Sequence, residues 1–123
     1  MKPLIPLVAV LIASAALAAE PSPVAKKEIQ YLFTNLEGSG CQFNRNGTWH
    51  TAQEASGHLQ RKYKHLLDKG MISTTESFID QGAATSSSSG KPYQVRCGGA
   101  DAKAEASAVW FKAELAKHRQ AAK

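Results

Sequence analysis

The chain predicts an α+β fold: a small antiparallel sheet (a hairpin plus one strand) packed by three to four helices, with one disulfide. Three observations carry this expectation. Asn46-Gly47 stands between two short arms, and both central positions of a type I′ hairpin turn need φ > 0. Several segments each hold a single apolar stripe at helical spacing, which some other layer must cover. Cys41 and Cys97 each adjoin a stretch that reads as strand.

Residues 1–18 carry one charge, Lys2, then an apolar run over 4–12 and the triplet Ala16-Leu17-Ala18. That is the build of a secretory signal peptide with an A-x-A cleavage site. The run is too short and too rich in Ala for a membrane span. Residues 19–23 (Ala-Glu-Pro-Ser-Pro) are expected as a flexible leader, and 24–123 as a single α+β domain. Ala25, Ile29, Leu32, Phe33 and Leu36 make one stripe, so 24–37 reads as a helix stopped by Gly38-Ser39-Gly40. The hairpin follows at 41–45 and 48–50. Its arms are short, an isolated ribbon is marginal, and Tyr93-Gln-Val-Arg-Cys97 alternates with period two, so a third strand is expected there. Thr51 and Glu54 form a capping-box pattern opening a helix to Lys69, with Gly70 as its stop. Its apolar face is Ala52, Ala55, Leu59, Tyr63, Leu66 and Leu67; Glu54, His58, Arg61, Lys62, His65 and Lys69 form the polar one. Ser73 to Glu76 repeats the box ahead of a short helix. Residues 85–92 read as a flexible loop, and 101–120 as a last helix carrying Val109, Trp110, Phe111 and Leu115.

The chain has 123 residues, 15 Lys+Arg against 10 Asp+Glu, and 43% hydrophobic residues. Multidomain enzymes, integral membrane proteins and cytosolic nucleotide users do not fit. The positive excess is too small and too scattered for nucleic acid. In an oxidising compartment two Cys of a small domain read as a structural bond, with free thiols as the alternative. A bond between Cys41 and Cys97 would contribute about 4 kcal/mol by loop-closure entropy. A zinc site fits poorly, because no His spacing accompanies the pair.

No catalytic constellation stands out. His58 and His65 lie two helical turns apart, which is neither a metal pair nor H-E-x-x-H, and both read as solvated surface residues. Four adjacent serines, Ser86 to Ser89, lack a G-x-S-x-G elbow and a visible His–Asp partner. Gly90-Lys91 resembles the end of a P-loop, but Thr85 replaces the first glycine and Pro92 the terminal Ser/Thr. No catalytic residue, metal ligand or cofactor is expected.

Taken together, Ser39-Gly40-Cys41-Gln42-Phe43, Arg45-Asn46-Gly47 with Trp49-His50, His58-Leu59, Thr75-Glu76-Ser77-Phe78-Ile79 and Ser89-Gly90-Lys91-Pro92-Tyr93…Val95…Cys97 resemble the YfeK-like family, small exported proteobacterial proteins grouped as a domain of unknown function. The resemblance covers most of 26–97. It implies an exported envelope protein with one bridge and supplies no activity. Ser89-Gly90-Lys91-Pro92-Tyr93 also resembles the Ser-Gly-x-x-Tyr loop that periplasmic lysozyme inhibitors insert into the enzyme's acidic cleft. Those inhibitors are β-rich barrels, whereas this chain reads as mostly helical.

The expected function is that of a periplasmic or secreted, non-enzymatic envelope binding or interaction protein. A lysozyme-inhibitor-like module and a small cell-wall-acting enzyme are the alternatives. The candidate contact surface is the loop from Ser86 to Tyr93, with Ser89, Gly90, Lys91 and Tyr93, joined by Arg45 and Arg96 into one patch. The expected partner is an acidic envelope protein or a cell-wall component, with no nucleic acid and no stable membrane insertion after signal cleavage.

Overall fold

The computed structural model describes residues 2–6 and 19–123. Most of the expected signal peptide therefore lies outside the described residues. Helix α1 spans Pro23–Gly38, one residue earlier than the apolar stripe suggests. Proline suits the first helical position because its missing N–H has no partner there. Ser22 caps the helix by accepting from the Ala25 N–H at 3.1 Å. The stretch expected as a loose leader is thus engaged: Pro21 is buried and Ala19 bridges Met71.

The hairpin follows as β1 (Gln42–Arg45) and β2 (Thr48–Thr51). Asn46 at φ 53° and Gly47 at φ 87° make the turn, and the Asn44 carboxamide oxygen accepts from the Gly47 N–H at 2.9 Å. Helix α2 spans Ala52–Asp68 and α3 Thr75–Phe78, continued by a π-helical turn over Ile79–Ala83. Strand β3 (Gln94–Arg96), the short β4 (Glu105–Ala106) and α4 (Ser107–Ala121) complete the chain. The sheet is antiparallel in the order β2-β1-β3-β4. Gln42 pairs with Arg96, and one step outward Cys41 is bonded to Cys97 with their Cα atoms 4.2 Å apart.

At the start of α2 the Thr51 hydroxyl accepts from the Glu54 N–H at 3.1 Å, and the Glu54 carboxylate turns back to accept from that hydroxyl at 3.1 Å and from His50 at 3.4 Å. Two local expectations are corrected. The second capping box sits one residue later, with Thr74 as cap and Ser77 closing it. The last helix begins at Ser107 rather than near Asp101, because Glu105 and Ala106 pair with Val95 and Gln94 on the free edge of β3. Val109 accordingly faces solvent, while Trp110, Phe111 and Leu115 are buried.

The sheet presents one face to the helices. Phe43 and Val95 lie opposite each other on it and are buried, with Tyr93 and Cys41 beside them. The core continues through Leu32, Phe33, Leu36, Leu59, Phe78, Ile79 and Phe111. At the far end from the hairpin, α1, α3 and α4 meet around a buried carboxylate. Glu28 receives two hydrogen bonds from Arg119, at 2.8 and 3.0 Å, and one from the Thr75 hydroxyl at 2.7 Å. Arg119 also pairs with Glu76. Those donors hold the Glu28 carboxyl below its usual range, the Arg119 bond contributing most and outweighing burial.

Candidate functional site

Side chains alternate across a strand, so Arg45 leaves β1 on the same face as Phe43, toward α2. Its Nη1 lies 2.6 Å from Nδ1 of His58 on α2. Nε2 of His58 is 3.3 Å from the Tyr93 hydroxyl. One turn along α2, Lys62 Nζ donates to the Thr85 carbonyl at 2.6 Å and reaches the Tyr93 hydroxyl at 3.4 Å. His58 and Lys62 stand four apart, the spacing that puts both on one helix face.

The Arg45–His58 contact divides two adjoining clefts of about 400 Å³ each. One is bordered by His50, Glu54 and Arg61. The other opens between α2 and the loop, bordered by Lys62, Tyr93, Asn46 and Ser86 to Ser88. His58, read from the sequence as a solvated surface residue, is instead half-buried between them. Burial lowers its imidazole to about 4, and the charges of Arg45, Lys62 and Arg61 and the neighbouring His50 push the same way. Burial also lowers Lys62. It raises the Tyr93 phenol despite the opposing pull of Arg45. The cluster at neutral pH is therefore a neutral His and a neutral Tyr beside two cationic side chains. Among the described residues no ion pair involves Arg45, Arg61 or Lys62.

The loop is ordered by its own hydrogen bonds rather than free. Ser86 N donates to the Lys91 carbonyl at 2.9 Å and Gly90 N to the Ser86 carbonyl at 2.8 Å. Gly90 takes φ 71°, a conformation glycine adopts without strain. Ser89 donates to the Asn46 side-chain oxygen at 2.6 Å, tying the loop to the hairpin turn. Lys91 is exposed, and Tyr93 is 1% exposed, its ring against Phe43.

Of the residues proposed from sequence, Arg45 and Tyr93 border the same cleft, whereas Ser89, Gly90 and Lys91 do not line it, Ser89 being tied to the hairpin turn through Asn46. The structure does not bring Arg96 to them. Arg96 pairs with Gln42 and shares the opposite, outer face of the sheet with Trp49, on whose ring it lies at 3.9 Å from the centroid. There it donates to the Gln42 side-chain oxygen at 2.7 Å and to the Ala100 carbonyl. The single patch thus divides into two faces. Sequence reasoning missed His58 and Lys62. Their i,i+4 spacing was the available signal, but only the fold shows which part of a polar helix face the loop covers.

Among the described residues, no group of three His, Cys, Asp or Glu could hold a metal ion, and no helix is long and apolar enough to cross a membrane. The sequence model described as "Family of unknown function (DUF5329)" matches residues 23–119. Over 51 residues the chain is 45% identical to "Uncharacterized protein YfeK" of Salmonella typhimurium (strain LT2), a stretch covering 42% of this chain and 41% of that one. The match thus spans well under two thirds of the relative. No solved structure matches the chain.

Proposed function

The chain belongs to the DUF5329 family of unknown function, and from that premise we propose that it is an exported, non-enzymatic binding domain whose contact surface is the Arg45–His58–Lys62–Tyr93 cleft and the loop beside it. The supporting observation is the cluster itself. Arg45 and Lys62 border a half-open cleft with no carboxylate paired to either among the described residues. A folded protein gains little by holding cations together unless something negative joins them. An acidic envelope protein or cell-wall component supplies that charge, and it would speed association more than it tightens the final complex.

Export is supported by the basic, apolar, A-x-A pattern of 1–18 and by the Cys41–Cys97 bond, which an oxidising compartment sustains. The absence of catalysis is supported by the side chains that border the cleft. None of the serines hydrogen-bonds a histidine among the described residues; Ser86 contacts Ser88 and Asn46. An imidazole near 4 is a weak general base at neutral pH. Cell fractionation with thiol alkylation tests the first half: the protein should appear in the periplasm and take up alkylating agent only after reduction. Titration with an acidic peptide, followed by NMR, tests the second. Shifts should centre on Arg45, His58 and Lys62, and disappear in Arg45→Glu. A cytoplasmic, reduced protein, or shifts elsewhere on the surface, would overturn the corresponding half.

A further inference from the structure

The bonds within this cleft assign donors and acceptors. A guanidinium can only donate, so His58 Nδ1, 2.6 Å from Arg45 Nη1, is the bare nitrogen and the ring hydrogen sits on Nε2. That N–H faces the Tyr93 hydroxyl at 3.3 Å, and the Lys62 ammonium approaches the same oxygen at 3.4 Å. Both donate, so the Tyr93 oxygen accepts twice and its own hydrogen has no acceptor among the described residues. Arg45 keeps its other N–H groups, and Lys62 keeps the hydrogen not given to Thr85 or Tyr93. Ser87 and Ser88 add exposed hydroxyls from the loop. Donors therefore converge from β1, α2, the start of β3 and the loop, around two positive charges.

We propose that the cleft bordered by Arg45, Lys62, Tyr93 and Ser86–Ser88 binds a phosphoryl dianion, as free phosphate or as a phosphate monoester. This rests on the binding reading above and names the ligand chemistry of the same site. A carboxylate brings one charge and two oxygens, leaving one cation and several donors unmatched. A phosphoryl group carries about −1.5 to −2 at neutral pH on three acceptor oxygens, which matches Arg45, Lys62 and the hydroxyls together. A volume of about 400 Å³ leaves room for the group and a small organic remainder. His58 is a positioning residue, since its bare nitrogen holds the guanidinium at the cleft. Glu54, the carboxylate bordering the neighbouring cleft, is occupied by Thr51 and His50 and does not compete.

The test is titration of the full purified protein at neutral pH with inorganic phosphate, with glycerol phosphate and with polyglutamate, reading affinity and the His58 ring signals. Saturation by either phosphate supports the assignment, and the tighter of the two identifies free ion or monoester as the source. A bound dianion favours the imidazolium, so the His58 titration should move upward on saturation. The groups facing that ring are Arg45, Arg61, Lys62, His50 and Tyr93, with Glu54 the carboxylate that shares the neighbouring cleft with it and is engaged by Thr51 and His50. Tyr93→Phe keeps the buried ring and should weaken phosphate binding about tenfold, as loss of one hydrogen bond to a charged group does. Lys62→Met should weaken it further; if that variant unfolds, Tyr93→Phe carries the test alone. Phosphate binding unchanged in Tyr93→Phe overturns the proposal. Polyglutamate binding at the cleft without either phosphate overturns it too, while leaving the binding reading intact. No binding by any of the three overturns both.

Discussion

Two polar clusters sit at opposite ends of this domain, and both contain an arginine held by a side chain of another element. At the Glu28 end, Arg119 meets two carboxylates and a threonine hydroxyl completes the set. At the hairpin end, Arg45 meets a neutral histidine, and Lys62 a carbonyl and a phenol. The first cluster is closed: its one cation is paired on both sides and the donors find acceptors. The second is open, with charge in excess and donors to spare. Closure fixes three helices on one another, whereas the open cluster leaves a site whose missing component must arrive from solution. The contrast says where stability is held and where binding takes place.

The largest effect should come from the bond that holds the open end together. The disulfide clamps β1 to β3, the strands that bring Arg45 and Tyr93 to α2. Cys41→Ala should cost about 2–5 kcal/mol in urea unfolding, with reduction of the wild type reproducing the loss. Next come the two arginines. Arg119→Leu strands Glu28, which is 7% exposed, beside Glu76. Removing one partner of a buried pair costs several kcal/mol, and with Arg119 itself half-exposed about 2–3 kcal/mol is expected. Arg45→Leu leaves no carboxylate behind and should change stability by less than about 1 kcal/mol. Equal losses in the two variants would erase the distinction between closed and open clusters.

A packing change sharpens the same contrast. A Cβ built on Gly82, in the π-helical turn between α3 and the loop, would lie 2.8 and 2.9 Å from ring carbons of Phe78. Phe78 is fully buried, so the ring has little room to yield. Gly82→Ala should cost about 1–3 kcal/mol by overpacking. Its melting temperature should fall while the affinity of the cleft stays unchanged, because neither Phe78 nor Leu66, the side chains the added Cβ would meet, borders the cleft. A loss of affinity at permissive temperature would show the two regions to be coupled.

How much of this is legible in the chain depends on whether the signal is local. The hairpin is, because Asn46-Gly47 states its own backbone requirement. So are the buried stripes of α1 and α2, which follow from spacing. β4 is not: Glu105 and Ala106 are poor strand formers inside an Ala-rich stretch that reads as helix, and only the free edge of β3 recruits them. Arg45 is legible as a surface cation, and strand alternation already separates it from Arg96 once Phe43 and Val95 are paired. What the chain does not display is the meeting of His58 and Lys62 with Tyr93, since a helical wheel marks a polar face without saying what folds over it.

The smallest effect is on the slope of stability with pH, and it tests the comparison without removing a charge pair. At the closed end, Arg119 first and Thr75 after it lower the Glu28 carboxyl, and Arg119 chiefly lowers that of Glu76. A depressed carboxyl contributes stability above its unfolded value, ordinarily 4.5, and loses it as pH falls through the folded value below that. At the open end the sign is the same but the group and the window differ. His58 titrates at about 4 in the folded chain against 6.5 unfolded, so between those values the unfolded chain takes up a proton that the folded one refuses. Stability should therefore decline as pH drops from about 6.5 to about 4, before the Glu28 cluster begins to fail. His58 is partly exposed, and solvent screening keeps this slope shallow. In His58→Gln the decline across that window should flatten while the acid limb below 4.5 remains; in Arg119→Leu the acid limb should flatten and the upper window should persist. Urea midpoints measured from pH 7 to pH 3 decide it. If His58→Gln keeps the whole upper slope, the imidazole is not held neutral by burial and its cationic neighbours, and the open cluster loses the acceptor that orients Arg45.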